Sequence, residues 1–120
     1  MRIVVTALCC VLLAGCAATV GELEAKGPAK EFVTPQTREA VADCIFLKWR
    51  EQKIAGSASN VTKQETSQGL YVSILDTQGP VEFARIRSVS DGTQVSYFQQ
   101  DYILATWRKE MRLAGIDACM

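Results

Sequence analysis

Along residues 34–120 the spacing of apolar side chains changes period twice, and this constrains the fold more than any other feature. Thr34-Pro35 reads as a helix start, with Thr34 as N-cap and Pro35 in the first helical position. Val41, Cys44, Ile45 and Trp49 then recur at helical spacing, with Ala42 and Phe46 widening the stripe and Glu39, Asp43 and Arg50 opposite it. The spacing predicts a helix from about Pro35 to Lys53, ended by Gly56 and the Ser57-Ala58-Ser59-Asn60 cluster. Four segments of period two follow: Val61 to Thr66, the run holding Leu70, Val72 and Ile74, Val81 to Val89, and Thr93 to Gln99. Asp101 then reads as the N-cap of a second helix carrying Ile103, Trp107, Met111 and Ala114, with Leu104 beside them. Arg108, Lys109 and Arg112 lie toward its C-terminal end, where cations oppose the helix dipole, and Gly115-Ile116 fits a Schellman ending.

Short connections favour an antiparallel meander. Asp76-Thr77-Gln78-Gly79-Pro80 is turn chemistry, and Asp91-Gly92 is a hairpin signal because a type I′ turn needs positive φ at both central positions. The expected architecture is a two-layer α+β domain: an antiparallel four-stranded sheet with two helices on one face, in the order α-β-β-β-β-α. Centring the hairpin on Asp91-Gly92 pairs Ser88 with Val95, Ile86 with Tyr97 and Ala84 with Gln99, a mostly apolar core face. The opposite face carries Phe83, Arg85, Arg87 and Phe98.

Ahead of this domain, Arg2 precedes an apolar run from Ile3 to Leu12, which ends in Leu13-Ala14-Gly15-Cys16. A cationic start, a short apolar region and small residues before a cut are the parts of an export signal. The run is too short for a bilayer span of about 20 residues. The tetrapeptide resembles the lipobox of bacterial lipoprotein precursors. That resemblance implies that residues 1–15 are cleaved off between Gly15 and Cys16, that Cys9 and Cys10 leave with them, and that Cys16 carries diacylglycerol and an acylated amino group. Two or more chains anchor firmly, whereas one binds only reversibly. With Ala17 and Ala18 in place of an aspartate after the cysteine, the resemblance further implies an outer-membrane address facing the periplasm. Residues 16–33 hold Gly21, Gly27, Pro28 and scattered charges, and read as a lipidated N-terminus and flexible tether. An oxidising compartment favours a bridge between the two cysteines left, Cys44 and Cys119.

The composition excludes several chemistries. No histidine is present, which removes the usual general base near neutral pH and the commonest metal ligand. Cys44 and Cys119 lack metal-knuckle or redox-pair spacing, and neither a P-loop nor a G-x-G-x-x-G occurs. Of 13 basic residues, losing Arg2 with the signal leaves 12 against 13 acidic ones, so no net field steers nucleic acid. No cofactor or metal is expected. Glu82 and Asp76 are carboxylates with nothing in their spacing to join them, and Glu82 reads as a strand end reaching solvent. Asn60-Val61-Thr62 matches a glycosylation sequon and reads as chance. Trp49 and Trp107 both fall on apolar stripes and read as core.

The Phe83, Arg85, Arg87 and Phe98 face is the candidate partner surface, because arginine over aromatic rings is favourable and both types are enriched at hot spots. The expectation is a non-enzymatic, membrane-anchored lipoprotein whose periplasmic domain binds another envelope component. The alternatives are an inhibitor or immunity protein against a wall-degrading or toxic enzyme, and a carrier of an apolar ligand held between sheet and helices.

Overall fold

The computed structural model describes residues 17–120. Its elements, in chain order, are α1 (Val20–Lys26), β1 (Lys30–Thr34), α2 (Arg38–Glu51), β2 (Lys53–Ile54), β3 (Ser57–Ala58), β4 (Val61–Thr66), β5 (Gly69–Asp76), β6 (Gly79–Val89), β7 (Gly92–Gln99) and α3 (Thr106–Asp117). The α+β class and the antiparallel meander are as expected, but the counts of strands and helices are not. Five strands form one antiparallel sheet in the order β1-β7-β6-β5-β4, and β2-β3 is a separate hairpin.

Helix α1 and most of β1 come from the segment read as a tether, and β2-β3 from the residues expected to end the first helix. Thr19 caps α1 through a reciprocal box: its hydroxyl accepts from the Glu22 N–H at 3.2 Å, and its own N–H donates to the Glu22 carboxylate at 3.1 Å. The chain then returns as β1 to pair with β7, with Lys30 opposite Tyr97 and Thr34 opposite Thr93. Thr34 is therefore a buried strand residue whose hydroxyl donates to the Met120 carbonyl, and the cap of α2 is Thr37 instead.

On the front of the sheet, α2 lays Val41, Ala42, Ile45 and Trp49 against Leu70, Val72, Ile74, Ala84, Ile86, Val95 and Tyr97. Ile116 of α3 joins the same cluster. The Cys44–Cys119 disulfide fastens α2 to the chain just after α3, closing a separation of 75 residues. These side chains pack together between the helices and the sheet. No helix among the described residues is long and apolar enough to cross a membrane.

The hairpin between β6 and β7 keeps the expected faces but not the expected pairs. Val89 lies opposite Gly92, Ile86 opposite Val95 and Ala84 opposite Tyr97, so the loop is Ser90-Asp91. The shift is two residues, and with a side-chain period of two it leaves each residue on its face. Gly92 is already in the strand at φ +144°, because a Cβ there would lie 2.2 Å from the Thr34 carbonyl oxygen and 2.9 Å from Pro35 Cα. Its role is to let the end of β1 pass. Positive φ at both central residues occurs at Ala55-Gly56, in the small β2-β3 hairpin.

The second helix also starts later than expected. Residues 101–105 precede it, and Ala105 is its cap, with no side-chain bond. The buried positions are Arg112, Gly115 and Ile116, so Trp107 faces outward at 57 % exposure rather than packing in the core. Gly115 does not end the helix. It lies within α3 where a Cβ would sit 2.7 Å from Gln52 Nε2 and 3.0 Å from Trp49 Cδ1, so it permits close approach of α2.

Candidate functional site

Each residue singled out in the sequence now has a place. Gly15 and Cys16 lie outside the described residues. Cys44 and Cys119 are joined. Phe83, Arg85, Arg87 and Phe98 do share the back of the sheet, yet this half of it is covered. Phe83 and Phe98 stack at 4.7 Å between ring centroids, Tyr71 stacks on Phe83 at 5.7 Å, and Leu23 of α1 packs over the set. The expectation of an open Arg/Phe face fails because the residues thought to be a tether fold onto it.

Electrostatics hold α1 there as well. Glu24 accepts from the Tyr71 hydroxyl at 2.9 Å and pairs with the Arg85 guanidinium, which also lies 5.1 Å from the Phe98 centroid. Burial, then the adjacent Glu24 carboxylate, push the Tyr71 phenol above its usual range. Arg85 Nε is buried without a hydrogen-bond partner. Arg87, nearer the hairpin end, bonds the Gln68 carbonyl at 3.0 Å instead.

A second contact pins the chain beside residue 16. The buried Gln100 amide accepts from the Ala18 N–H at 3.0 Å and donates to the Ala18 carbonyl at 2.6 Å and to the Pro80 carbonyl at 3.0 Å. Both main-chain groups of Ala18 are thus held by one side chain.

The uncovered half of the back face belongs to β4 and β5. Thr62, Gln64, Thr66, Tyr71, Ser73 and Leu75 border an open depression of about 350 Å³ at the flank of Val20. The register puts Thr62 beside Ser73 and Gln64 beside Tyr71. Hydroxyl and amide groups here stand next to the rings of the covered half, a mixed surface able to make hydrogen bonds and apolar contact together.

On the front, Glu82 is not a strand end reaching solvent but a fully buried centre of charge. One carboxylate oxygen accepts from Arg108 Nε at 3.0 Å, Arg108 Nη2 at 2.8 Å and Arg112 Nε at 3.1 Å; the other accepts from the Tyr97 hydroxyl at 2.8 Å. Arg112 continues to Gln52 and to Ser59 Oγ, both at 2.8 Å. Trp49 Nε1 donates to the Arg112 carbonyl at 3.1 Å. Burial, reinforced by the Glu82 charge, holds the Tyr97 phenol far above its ordinary range. Every donor named finds an acceptor, which is the condition under which a buried charge is tolerated. Asp76 stands apart, accepting from the Gln78 N–H at 2.7 Å within its own turn. The structure therefore brings no pair of free carboxylates together at these two positions.

Sequence reasoning missed α1 and the Glu82 cluster. Both left a signal: Thr19-Val20-Gly21-Glu22 is a capping box, and Arg108 and Arg112, four apart, share one helix face. Among the described residues no group of three or more histidine, cysteine, aspartate or glutamate side chains could hold a metal ion. The class these features define is a disulfide-tied α+β domain with a helix strapped across half of the back of its antiparallel sheet. No protein-family model, curated protein or solved structure matches the chain.

Proposed function

We propose that this chain is a non-enzymatic lipoprotein, acylated on Cys16 and held at the outer membrane facing the periplasm, whose domain binds another cell-envelope component. The observation that carries this reading is Leu13-Ala14-Gly15-Cys16 at the end of a short apolar run behind Arg2. Two features of the fold support it. A disulfide suits an oxidising compartment. The Ala18 clamp leaves only Ala17 between the acylated cysteine and the first fixed residue, so the domain is seated at the bilayer rather than hung from it.

The partner surface moves from the Arg/Phe half of the back face to the open Thr62, Gln64, Ser73 and Leu75 strip. The test has two arms. Intact mass of the protein purified from its native envelope should show a chain that begins at residue 16 and carries acyl groups; one that still begins at Met1 refutes the anchor. Crosslinking capture from that envelope should then lose its partner when Thr62 and Gln64 are both replaced by Arg, while the thermal midpoint stays within a degree or two. Undiminished capture removes the strip as the contact surface.

A further inference from the structure

The loop that leads into α3 is unusually apolar for a surface. Tyr102 is 44 %, Leu104 86 % and Trp107 57 % exposed, and these make up three of the six exposed large hydrophobic residues found across the described chain. All three fall within six positions of the chain, whereas exposed apolar residues are normally scattered singly over a surface.

Their place relative to the N-terminus gives the patch a meaning. Gln100 grips Ala18 through both main-chain groups, and the Ile103 N–H closes back on the Gln100 carbonyl at 3.1 Å. That turn brings Leu104 to within about 11 Å of Gln100. Two residues of chain, at most about 7 Å, separate Ala18 from Cys16. A flexible tether of 17 residues would have spanned about 20–25 Å and let the domain tumble. The clamp removes that freedom, so the surface beside Ala18 is the surface that faces the anchor.

We propose that Tyr102, Leu104 and Trp107 insert into the headgroup–acyl boundary of the bilayer to which Cys16 is anchored. This rests on the acylation of Cys16 proposed above. The chemistry matches the site. Tryptophan and tyrosine settle at the headgroup level because one end of each ring system is apolar and the other polar. An exposed leucine between them supplies purely apolar contact to a depth of about 5–10 Å. The charged groups on the same stretch are paired: Arg108 bonds the buried Glu82, the exposed Asp101 pairs with the exposed Lys26, and the Tyr102 hydroxyl donates to Asp76 at 3.4 Å. With two fixed points, the lipidated cysteine and this patch, the domain keeps one orientation. The depression on β4 and β5 is then presented at a constant angle to the membrane.

The acylated protein, purified from its own envelope, is reconstituted into phosphatidylethanolamine–phosphatidylglycerol vesicles with and without acyl chains spin-labelled near the headgroup. The two tryptophans serve as reporter and control: Trp49 is buried in the core, Trp107 is exposed. Spin-labelled lipid should quench more than half of the emission that disappears in Trp107→Phe, and little of what remains. Leu104→Asp should cut the Trp107 quenching at least twofold with an unchanged thermal midpoint. Intact mass on the same sample separates the two readings. An unacylated chain removes both. An acylated chain whose Trp107 is untouched by spin-labelled lipid and open to acrylamide removes the bilayer contact alone. Shielding from both quenchers would show the patch covered by protein, a second copy or a partner, and would also overturn it.

Discussion

On the front of the sheet Glu82 meets Arg108, Arg112 and Tyr97; on the back Glu24 meets Arg85 and Tyr71. Carboxylate, guanidinium and phenol recur, but their settings differ. Glu82 and Arg112 are fully buried, whereas the Glu24 and Arg85 side chains keep 20 % and 13 % of their exposure. The front carboxylate sits in a central strand, and its two arginine partners ride on a 12-residue helix. The back carboxylate belongs to a seven-residue helix, far below the length at which a helix stands alone in water. Its neighbour Arg85 also keeps one buried N–H unmatched. The front therefore behaves as part of the global fold, and α1 is the cover expected to open first. The proposed function would use that division: the front sets rigidity, while the back carries both the open strip and the Ala18 clamp.

The largest expected effect lies on the front. Reducing Cys44–Cys119 frees a loop of 75 residues and should cost about 4–5 kcal/mol on the chain-entropy account. Urea unfolding with and without reductant measures it. Hydrogen exchange should show α2 and α3 losing protection together, because the bridge fastens them. A loss confined to α1 would break the comparison.

Next comes a matched pair. Glu82→Gln leaves two guanidinium groups facing a neutral amide in a dry core and should destabilise by about 3–5 kcal/mol. Glu24→Gln, at a partly exposed pair, should cost about 1 kcal/mol. Denaturation midpoints at constant slope give both values. Equal losses would mean that α1 is as integral to the fold as α3. A third substitution sharpens the same point. Leu23→Ala removes the main apolar contact of α1. The cost of about 2 kcal/mol, the low end for a buried leucine, should fall on the local opening of α1, because the short helix can detach without unfolding the sheet. Proteolysis between Ala18 and Lys30 should rise sharply in this variant while the thermal midpoint moves by only a few degrees.

How much of this was legible depends on the length and polarity of each element. The four meander strands announce themselves because six to eleven residues of alternation leave little choice of face. Even a hairpin centred one residue off keeps Ile86, Ala84, Val95 and Tyr97 on the core side. Five to seven residues rich in lysine and glutamate, as in α1 and β1, carry no such period, and only the Thr19–Glu22 box marks them. The burial of Leu23 in α1 is decided by Phe83 and Phe98, 60 and 75 positions away, and the place of β1 by its pairing with β7, contacts that local pattern does not encode. Alternation puts Phe83, Arg85, Arg87 and Phe98 on one face, but it does not encode whether that face is covered. A helix starting at Asp101 puts Trp107 in phase with Ile103 and so on the core side. The real helix begins at Thr106, and Arg112, Gly115 and Ile116 define its inner face. Glu82 in a strand otherwise apolar on that side was the visible anomaly, and Arg108 with Arg112 is its answer.

The smallest effect near neutral pH grows with alkali, and its sign follows from Tyr97. In the unfolded chain a tyrosine releases its proton near pH 10. In the native state burial and the Glu82 charge raise the Tyr97 phenol well above that value, so it stays protonated. Above about pH 10 the unfolded state therefore binds fewer protons than the folded one, and stability falls as pH rises. The contribution is intact below pH 10 and declines by about 1.4 kcal/mol for each further pH unit until the native phenol itself ionises. Tyr71 on the back is also raised, by burial and by Glu24, but its cover is α1. If α1 opens first, Tyr71 should titrate in a folded protein while Tyr97 remains silent. Tyrosinate absorbance followed beside far-ultraviolet circular dichroism tests this order. Tyrosinate from Tyr71, identified by its loss in Tyr71→Phe, should appear before the sheet signal changes, and that from Tyr97 only together with it. Simultaneous appearance of both at the unfolding transition would place the two faces in one cooperative unit and end the distinction drawn between them.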